Sequence, residues 1–274
     1  MKTGIYYGTF DPITITHLRD CLQMIRKHGL NRLYLLIKGE AVSDETIRLQ
    51  LLKKAVSPYR KLMVSEDSTV LKRTAVIEFS ETDEQKKASE KVRNGDFTQL
   101  PESLRKDVIE SGIYGESIIR NLVNPHRYQH SLSVASLSCE IAKAHGLDSF
   151  KAYLAGLYHD IGKGLSEKET DMYIAVDKPY ESEYPEPVWH AYVGYYLLKH
   201  NYGMRDKQIL SAVRHHCLGD DESPLSMIVY MADKLDPNRG YDSSSEIQLA
   251  KKDLRAAFDL VHRQQADYLA GKEK

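Results

Sequence analysis

The chain has 274 residues, of which 28% are charged and 42% are hydrophobic, and its formal net charge is −1. These values are typical of a globular chain of about two domains and argue against a broad nucleic-acid surface or a basic membrane patch. The apolar runs are too short to span a bilayer, and the three cysteines form no CxxC motif. We therefore expect a cytoplasmic protein with reduced thiols that binds neither nucleic acids nor membranes.

The first 115 residues alternate between strand and helix patterns. Short apolar runs predict four strands, at residues 2–7, 32–37, 61–64 and 75–79. Amphipathic or polar stretches predict four helices, at residues 17–28, 44–56, 81–93 and 101–111. This alternation indicates an α/β domain with a parallel sheet, and we place its boundary near Gly115, so that the domain covers residues 1–115.

The pattern changes to helices only over residues 116–274. The predicted helices are 116–123, 127–145, 149–161, 166–175, 188–201, 206–217, 224–235 and 246–270. Residues 177–187 contain three prolines and are predicted to form a loop. The second half of the chain is therefore predicted to be an all-α helical bundle.

Histidine is concentrated in the helical half, where eight of the 11 histidines lie between His126 and His216. Helical phase places six ionisable side chains on core-facing sides: His130, His159, Asp160, His190, His216 and Asp233. A single buried histidine is more often a satisfied core residue, but burying all six groups without partners would be very costly. A bound divalent metal would satisfy them together, and the ligand set fits Mn, Fe, Mg or Zn. Periodicity favours His216 over its neighbour His215.

Several segments of the helical half carry a family resemblance. They are Arg127-Tyr128-Gln129-His130-Ser131, His159-Asp160-Ile161-Gly162-Lys163, His190, His216 and the segment from Ala232 to Arg239. They resemble the HD phosphohydrolase superfamily and, within it, the YqeK-type hydrolases. The resemblance implies that diadenosine tetraphosphate is cleaved symmetrically to ADP by a metal-activated hydroxide, at an iron-preferring site with two ions.

The resemblance also implies how the two ions are shared. One ion would be held by His130, His159, Asp160 and Asp233, and Asp160 would bridge to a second ion held by His190 and His216. The chain departs from the family after the last histidine, where Cys217-Leu218-Gly219 replaces Thr-Thr-Gly. This departure concerns the local substrate contacts rather than the metal ligands.

Three cationic residues near these motifs are candidates for binding the phosphates of a nucleotide. Lys163 lies four residues after His159, where it could neutralise phosphate oxygens, and we assign catalytic roles to Lys163 and Asp160. Arg127 and Arg239 are candidate phosphate contacts. The alternative for each cation is a solvated surface side chain.

A second resemblance lies at the N-terminus. Gly8-Thr9-Phe10-Asp11-Pro12 followed by His17 resembles the start of the nicotinate-nucleotide adenylyltransferases, where histidines at a helix N-terminus grip nucleotide phosphates. Thr14 and Thr16 replace the first histidine and the glycine of that motif, which leaves His17 as the candidate for substrate binding. The family's Ser-Ser-Thr-x-x-Arg element is missing from residues 81–89, and its substrate-binding middle is much shortened. We therefore predict a truncated, Rossmann-like nucleotidyltransferase domain that has lost adenylyl transfer.

The sequence leaves other functions open. The chain could be a different HD nucleotide phosphatase or phosphodiesterase, or a bifunctional protein whose N-terminal adenylyltransferase is still active. It could also be a nucleotide-sensing scaffold in which the metal site is structural. The predicted partner is a small nucleotide, and a homodimer is left open.

Overall fold

The structure is a computed structural model that describes residues 2–66, 76–176 and 186–272. The chain divides into two compact units, Met1–Tyr114 and Gly115–Lys274. Most of the predicted proline-containing loop at 177–187 lies outside the described residues. Among the residues described, none of the helices combines the length and the apolar character that crossing a bilayer requires.

The first unit is built on a parallel four-stranded sheet with the strand order β3-β2-β1-β4. Its strands are β1 (Thr3–Gly8), β2 (Arg32–Ile37), β3 (Leu62–Val64) and β4 (Val76–Ser80). Its helices are α1 (Ile15–His28), α2 (Glu45–Val56), α3 (Asp83–Arg93) and α4 (Glu102–Ser111). The predicted parallel α/β arrangement is confirmed, and β1 lies inside the sheet because its neighbours are β2 and β4.

The second unit is helical throughout its described residues, as predicted. Its helices are α5 (Gly115–Leu122), α6 (Pro125–Ala144), α7 (Ser149–Tyr158), α8 (Glu167–Val176), α9 (Trp189–Tyr196), α10 (Lys207–His215), α11 (Pro224–Lys234), α12 (Ser244–Lys252) and α13 (Leu254–Lys272). Helix α7 packs against α6, α10 and α11, so these four helices share one core. Apolar side chains such as Val134, Ala155, Val213 and Ile228 are fully buried in it.

The prediction of one continuous helix at residues 246–270 is wrong, because the chain breaks at Asp253. The backbone of Asp253 is extended, with φ −143° and ψ 98°. Its carboxylate accepts a hydrogen bond from the backbone N–H of Ala256 at 3.0 Å, which caps the start of α13. An aspartate competes with the helical backbone in this way, so two helices form where periodicity predicts one.

Helix α7 ends earlier than the predicted limit of residue 161, and a tight 3-10 turn, Ile161–Gly164, follows it. Close packing of this turn explains the glycine at position 162. A Cβ atom added to Gly162 would lie 2.1 Å from the carbonyl oxygen of His190 on α9. Because only glycine permits this approach, the turn that follows Asp160 lies directly against the backbone of α9.

The helix predicted at 188–201 is also shorter than expected. Its α-helical part ends at Tyr196 and continues as a π-helical turn, Leu197–Asn201.

Candidate metal centre

Six predicted ligand residues converge inside the second unit. They are His130 on α6, His159 and Asp160 just after α7, His190 on α9, His216 just after α10, and Asp233 on α11. His159, Asp160 and His216 are exposed by 2% or less, and Asp233 by 6%. The helical phases therefore place these ionisable groups in the interior.

The first group of side chains surrounds the ring of His130. Its Nε2 atom lies 3.2 Å from Nε2 of His159 and 3.1 Å from Oδ1 of Asp233. Nε2 of His159 also lies 3.7 Å from Oδ1 of Asp160 and 3.8 Å from Oδ1 of Asp233. Since metal–ligand bonds to nitrogen and oxygen are about 2.0–2.2 Å long, ligand atoms at these separations can share one ion.

The second group uses the same carboxylate oxygen. Nε2 of His190 lies 3.2 Å from Nε2 of His216, and these two atoms lie 3.2 Å and 3.6 Å from Oδ1 of Asp160. The Oδ1 atom of Asp160 is therefore within 3.7 Å of three imidazole nitrogens that belong to both groups. Each group could hold a metal ion, with Asp160 between them.

Oδ1 of Asp160 is also the atom that tests whether a metal fits. It is buried and accepts no hydrogen bond from any of the described residues. A buried acceptor without a donor costs about 1–3 kcal/mol, and more when it is charged. A divalent cation would satisfy this oxygen and the facing nitrogens at once, so the residues present fit a metal centre.

Hydrogen bonds on the far side of the imidazoles fix the tautomers that a metal requires. Nδ1 of His159 donates to the carbonyl oxygen of Gly156, and Nδ1 of His216 donates to that of Val213, each at 2.7 Å. A carbonyl oxygen can only accept, so Nδ1 carries the proton in both rings. In the neutral ring the lone pair of Nε2 then points into the cluster, which is how imidazole binds a metal.

The sequence analysis did not identify Asp236, whose carboxylate contacts Nδ1 of His130 as the backbone carbonyls contact Nδ1 of His159 and His216. Nδ1 of His130 lies 2.6 Å from Oδ2 of Asp236, whose other oxygen accepts a hydrogen bond from Ser133 at 2.6 Å. A carboxylate behind a metal-binding imidazole orients the ring and raises its basicity. The signal available in the sequence was the position of Asp236, which follows Asp233 by three residues and lies just beyond the end of α11.

Protons and metal ions compete for this site. Burial opposes protonation of His130, but its hydrogen bonds with Asp233 and Asp236 outweigh burial and raise its pKa to about 9. Burial lowers the pKa of His159 to about 3. Burial also opposes ionisation of Asp160, yet the surrounding histidines hold the pKa of this carboxyl well below its usual range. Asp160 is therefore ionised at neutral pH, and an ion that binds at His130 displaces a proton.

Cys217 belongs to the second group, although the sequence analysis treated it only as a departure from a family pattern. Its Sγ atom lies 3.3 Å from Nε2 of His190 and 3.3 Å from Nε2 of His216. Burial opposes ionisation of the thiol, but the neighbouring His216 outweighs it and lowers the pKa of Cys217. Adjacency to His216 was the signal in the sequence.

A cavity of about 1070 Å³ adjoins the metal centre and has His130 and Asp160 in its wall. The three predicted phosphate-binding cations line it, together with Lys234, which the sequence analysis missed. Lys163 and Arg127 lie 3.2 Å and 3.4 Å from Oδ2 of Asp160. Lys234 and Arg239 lie 2.7 Å and 2.5 Å from the carboxylate of Asp233. Four cations therefore line the cavity, and each contacts the carboxylate of Asp160 or of Asp233.

His215 and His17 have other partners than the six clustered residues. Nδ1 of His215 lies 2.7 Å from Asp220, whereas its neighbour His216 faces the metal centre. His17 belongs to the first unit, where it is fully buried. Its Nδ1 atom lies 2.7 Å from the hydroxyl of Thr14, and its Nε2 atom lies 2.8 Å from Glu81. Both nitrogens of this ring are therefore engaged by the protein.

Comparisons with known proteins agree with this geometry. The family model for the HD domain matches residues 127–238. A probable nicotinate-nucleotide adenylyltransferase/Ap4A hydrolase of Mycoplasma pneumoniae is 35% identical over 183 residues, which cover 64% of this chain and 53% of that protein. A symmetrical bis(5'-nucleosyl)-tetraphosphatase of Bacillus subtilis is 34% identical over 144 residues, or 51% of this chain and 77% of that protein.

One solved structure is also similar. The crystal structure of a predicted HD superfamily hydrolase involved in NAD metabolism from Clostridium acetobutylicum superposes with a TM-score of 0.51 at 26% identity. The match covers 61% of this chain and 88% of that one. The chain spans about half the length of the Mycoplasma pneumoniae relative, 53%, and of a relative with the same description from Mycoplasma genitalium, 51%.

Proposed function

Because the chain belongs to the HD-domain hydrolases and is related to the symmetrical bis(5'-nucleosyl)-tetraphosphatases, we propose that it cleaves diadenosine tetraphosphate symmetrically into two ADP molecules. The proposed reaction depends on divalent metal. The observation that carries it is the buried Oδ1 atom of Asp160, which lacks a hydrogen-bond donor in the described residues and faces imidazoles of two groups. Asp160 lies in the wall of a cavity that four cations line, which suits a polyphosphate.

The proposed ligands of the first ion are His130, His159, Asp160 and Asp233, and those of the second ion are Asp160, His190 and His216. When bound, a pair of divalent ions lowers the pKa of water and polarises a phosphoryl oxygen, which makes hydrolysis feasible at neutral pH. The chain's own contribution is to hold the ligand atoms apart at fixed distances. Backbone carbonyls and Asp236 do so by locking the imidazole rings.

The cations on the cavity wall are proposed to bind the polyphosphate. Lys163 and Arg127 neutralise Oδ2 of Asp160, and Lys234 and Arg239 neutralise Asp233. Once divalent ions compensate these carboxylates, the four cations are available for phosphate oxygens. Lys163 is the proposed catalytic cation, since it would stabilise the negative charge that grows on the departing ADP.

The size and rim of the cavity favour a dinucleotide. At about 1070 Å³ the cavity is at the upper end of the roughly 300–1,000 Å³ usual for small-molecule sites. Two tyrosines in its wall, Tyr241 and Tyr268, are exposed by 51% and 57%. Exposed aromatic rings offer stacking surfaces for purine bases, and stacking is worth about 1–3 kcal/mol per base in nucleic-acid complexes. The cavity therefore provides for both charged and aromatic parts of the substrate.

A product assay tests the proposal. The full chain is stripped of metal, reloaded in turn with Fe²⁺, Mn²⁺, Zn²⁺ or Mg²⁺, and incubated with diadenosine tetraphosphate, and the nucleotides are separated by chromatography. ADP as the sole product is the expected result. The appearance of ATP with AMP would mean asymmetrical cleavage, and the absence of cleavage with every ion would overturn the proposal.

For the first unit, we infer a nucleotidyltransferase-like fold without adenylyl transfer. Glu81 follows β4, and its Oε2 atom accepts hydrogen bonds from the backbone N–H and the hydroxyl of Thr9, at 2.9 Å and 2.8 Å. Its Oε1 atom pairs with His17. Thr9 and His17 belong to the segment that resembles the phosphate-binding motif, and their polar groups already contact the carboxylate of Glu81. A buried anion at this position would also repel a nucleotide phosphate.

We expect the full chain to release no pyrophosphate from ATP and nicotinate mononucleotide in the presence of Mg²⁺. The loss of a single electrostatic donor typically lowers an enzyme's rate by about 10²–10³, and here the donors of Thr9 and His17 are both occupied. A coupled pyrophosphate assay measures the rate. A turnover above roughly 1 s⁻¹, the low end for ordinary enzymes, would show that the transferase is active.

A further inference from the structure

The feature that the family resemblance does not explain is Cys217, which departs from the Thr-Thr-Gly pattern that the resemblance implies. Its Sγ atom and the two Nε2 atoms of His190 and His216 form one group, and Oδ1 of Asp160 lies next to both imidazole nitrogens. The five distances that the structure gives among these atoms run from 3.2 to 3.6 Å. Metal–ligand bonds of about 2.0–2.3 Å at tetrahedral angles place neighbouring ligand atoms roughly 3.3–3.6 Å apart. The three atoms of His190, His216 and Cys217 thus have the spacing of ligands in one coordination shell, and Oδ1 of Asp160 has that spacing from both imidazoles.

The hydrogen-bonding capacity of these four atoms points to a cation. Nδ1 of His216 carries the proton that it donates to Val213, so its Nε2 atom is an acceptor in the neutral ring. Oδ1 of Asp160 is an acceptor that is 98% buried and receives no hydrogen bond from the described residues. A thiol has one proton and can satisfy only one of these acceptors. A metal ion at their centre satisfies all of them, and the thiol proton then passes to solvent.

We propose that Cys217 is a fourth protein ligand of the second metal ion, beside Asp160, His190 and His216, and that it binds the ion as a thiolate. The proposal rests on the metal-dependent site described under Proposed function and adds a ligand to it. A sulfur ligand makes the donor set of this position softer than that of the position around His130, where all ligand atoms are nitrogen or oxygen. It selects Zn²⁺ over Mg²⁺, because thiolates suit zinc whereas magnesium prefers oxygen ligands.

The substitution of sulfur for oxygen therefore gives the two positions different preferences. His130, His159 and Asp233 offer nitrogen and oxygen atoms only, whereas Cys217 adds a soft donor next to His216. Replacing Cys217 by threonine exchanges the sulfur atom for a hydroxyl oxygen. The affinity of the second position for Zn²⁺ is expected to fall at least about ten-fold in Cys217→Thr, a loss of the size seen when groups that support a metal are removed.

The test uses Co²⁺, whose thiolate complexes absorb in the near ultraviolet. Metal-stripped full chain is titrated with Co²⁺ while the spectrum and the bound cobalt per chain are recorded. The wild type and Cys139→Ser are expected to show a sulfur-to-cobalt charge-transfer band, and Cys217→Ser is expected to lose it. Cys139 is a matched control, because it is a partly buried cysteine on α6 that takes no part in the site. Zn²⁺ affinity of the wild type and Cys217→Thr is measured by competition with a coloured chelator.

The outcomes separate this inference from the proposed function. Two bound cobalt ions without the band in the wild type would overturn ligation by Cys217, even if diadenosine tetraphosphate were still cleaved to ADP. A band that is present in the wild type and absent from Cys217→Ser would support ligation, even if the substrate proved to be another nucleotide. A wild type that binds no cobalt at all would overturn both. If Cys217→Ser fails to fold, Cys217→Thr, which also lacks the sulfur, takes its place, and a band that persists in it would overturn ligation by Cys217.

Discussion

Asp160→Ala is expected to abolish hydrolysis and to reduce bound metal towards zero. The reason is that one atom, Oδ1, lies within 3.7 Å of the Nε2 atoms of His159, His190 and His216, so the substitution removes a ligand from both positions at once. It also leaves Lys163 without its partner carboxylate. We expect the rate to fall by at least about 10³, since even single electrostatic groups contribute 10²–10³. Metal per chain is measured by mass spectrometry and the rate by ADP release.

Two further variants make the result of Asp160→Ala specific. Asp160→Asn keeps the shape of the side chain but removes its charge, so metal loss in this variant separates ligation from packing. Asp242→Ala removes another carboxylate of the same cavity wall, one that accepts a hydrogen bond from the backbone of Ser244. It is expected to keep its metal. Wild-type metal content in Asp160→Ala would contradict the assignment of this residue as the shared ligand.

The helical half could be predicted from local periodicity, because the spacing of apolar residues in each segment shows which face of the helix is buried. His130, His159, His190 and His216 each follow the apolar phase of their own segment, and the structure brings all four together. Periodicity also separates His216 from His215, which pairs with Asp220 instead. Placing the histidines on core faces required no knowledge of how the helices pack.

Features that depend on contacts between distant segments could not be predicted in the same way. Asp236 lies behind the ring of His130, more than a hundred residues away in the chain, and Glu81 engages His17 across 64 residues. Nothing in either local pattern specifies these partners. The break at Asp253 could not be predicted for a different reason. An aspartate can stand either inside a helix or at a helix end, and only the backbone angles show which of the two applies.

The departures from the two family patterns show the limits of resemblance. Cys217 looked like a change in substrate contacts, yet its sulfur lies 3.3 Å from the ring nitrogens of two proposed ligands. In the first unit, His17 looked like the surviving phosphate contact, yet Glu81 and Thr14 engage both its nitrogens. In both cases the sequence shows the departure from the family pattern. The neighbouring side chains that determine the chemistry of the residue are seen only in the structure.

Gly162→Ala is expected to disturb the second metal position without replacing any of the proposed ligand side chains. The added Cβ would lie 2.1 Å from the carbonyl oxygen of His190 and 2.9 Å from the backbone nitrogen of Gly194, and no side-chain rotation can relieve a clash with backbone. The turn after Asp160 must therefore move away from α9, which lengthens the 3.2 Å separation between Oδ1 of Asp160 and Nε2 of His190. Overpacking of this kind costs about 1–3 kcal/mol of unfolding free energy.

The matched control for Gly162→Ala is Gly194→Ala, because Gly194 lies on the other side of the same contact. Its Cβ would meet the methyl groups of Ile161 and Val213, each at 3.3 Å, and the backbone nitrogen of Gly162 at 3.5 Å, which is an ordinary van der Waals distance. Alanine is also a better helix former than glycine by about 1 kcal/mol. We expect Gly194→Ala to keep its stability and both ions, whereas Gly162→Ala melts at a lower temperature and retains about one ion per chain. Thermal unfolding and metal analysis of the two variants, side by side, measure the difference. If Gly162→Ala kept two ions and the wild-type melting temperature, the close approach of this turn to α9 would have no part in building the metal centre.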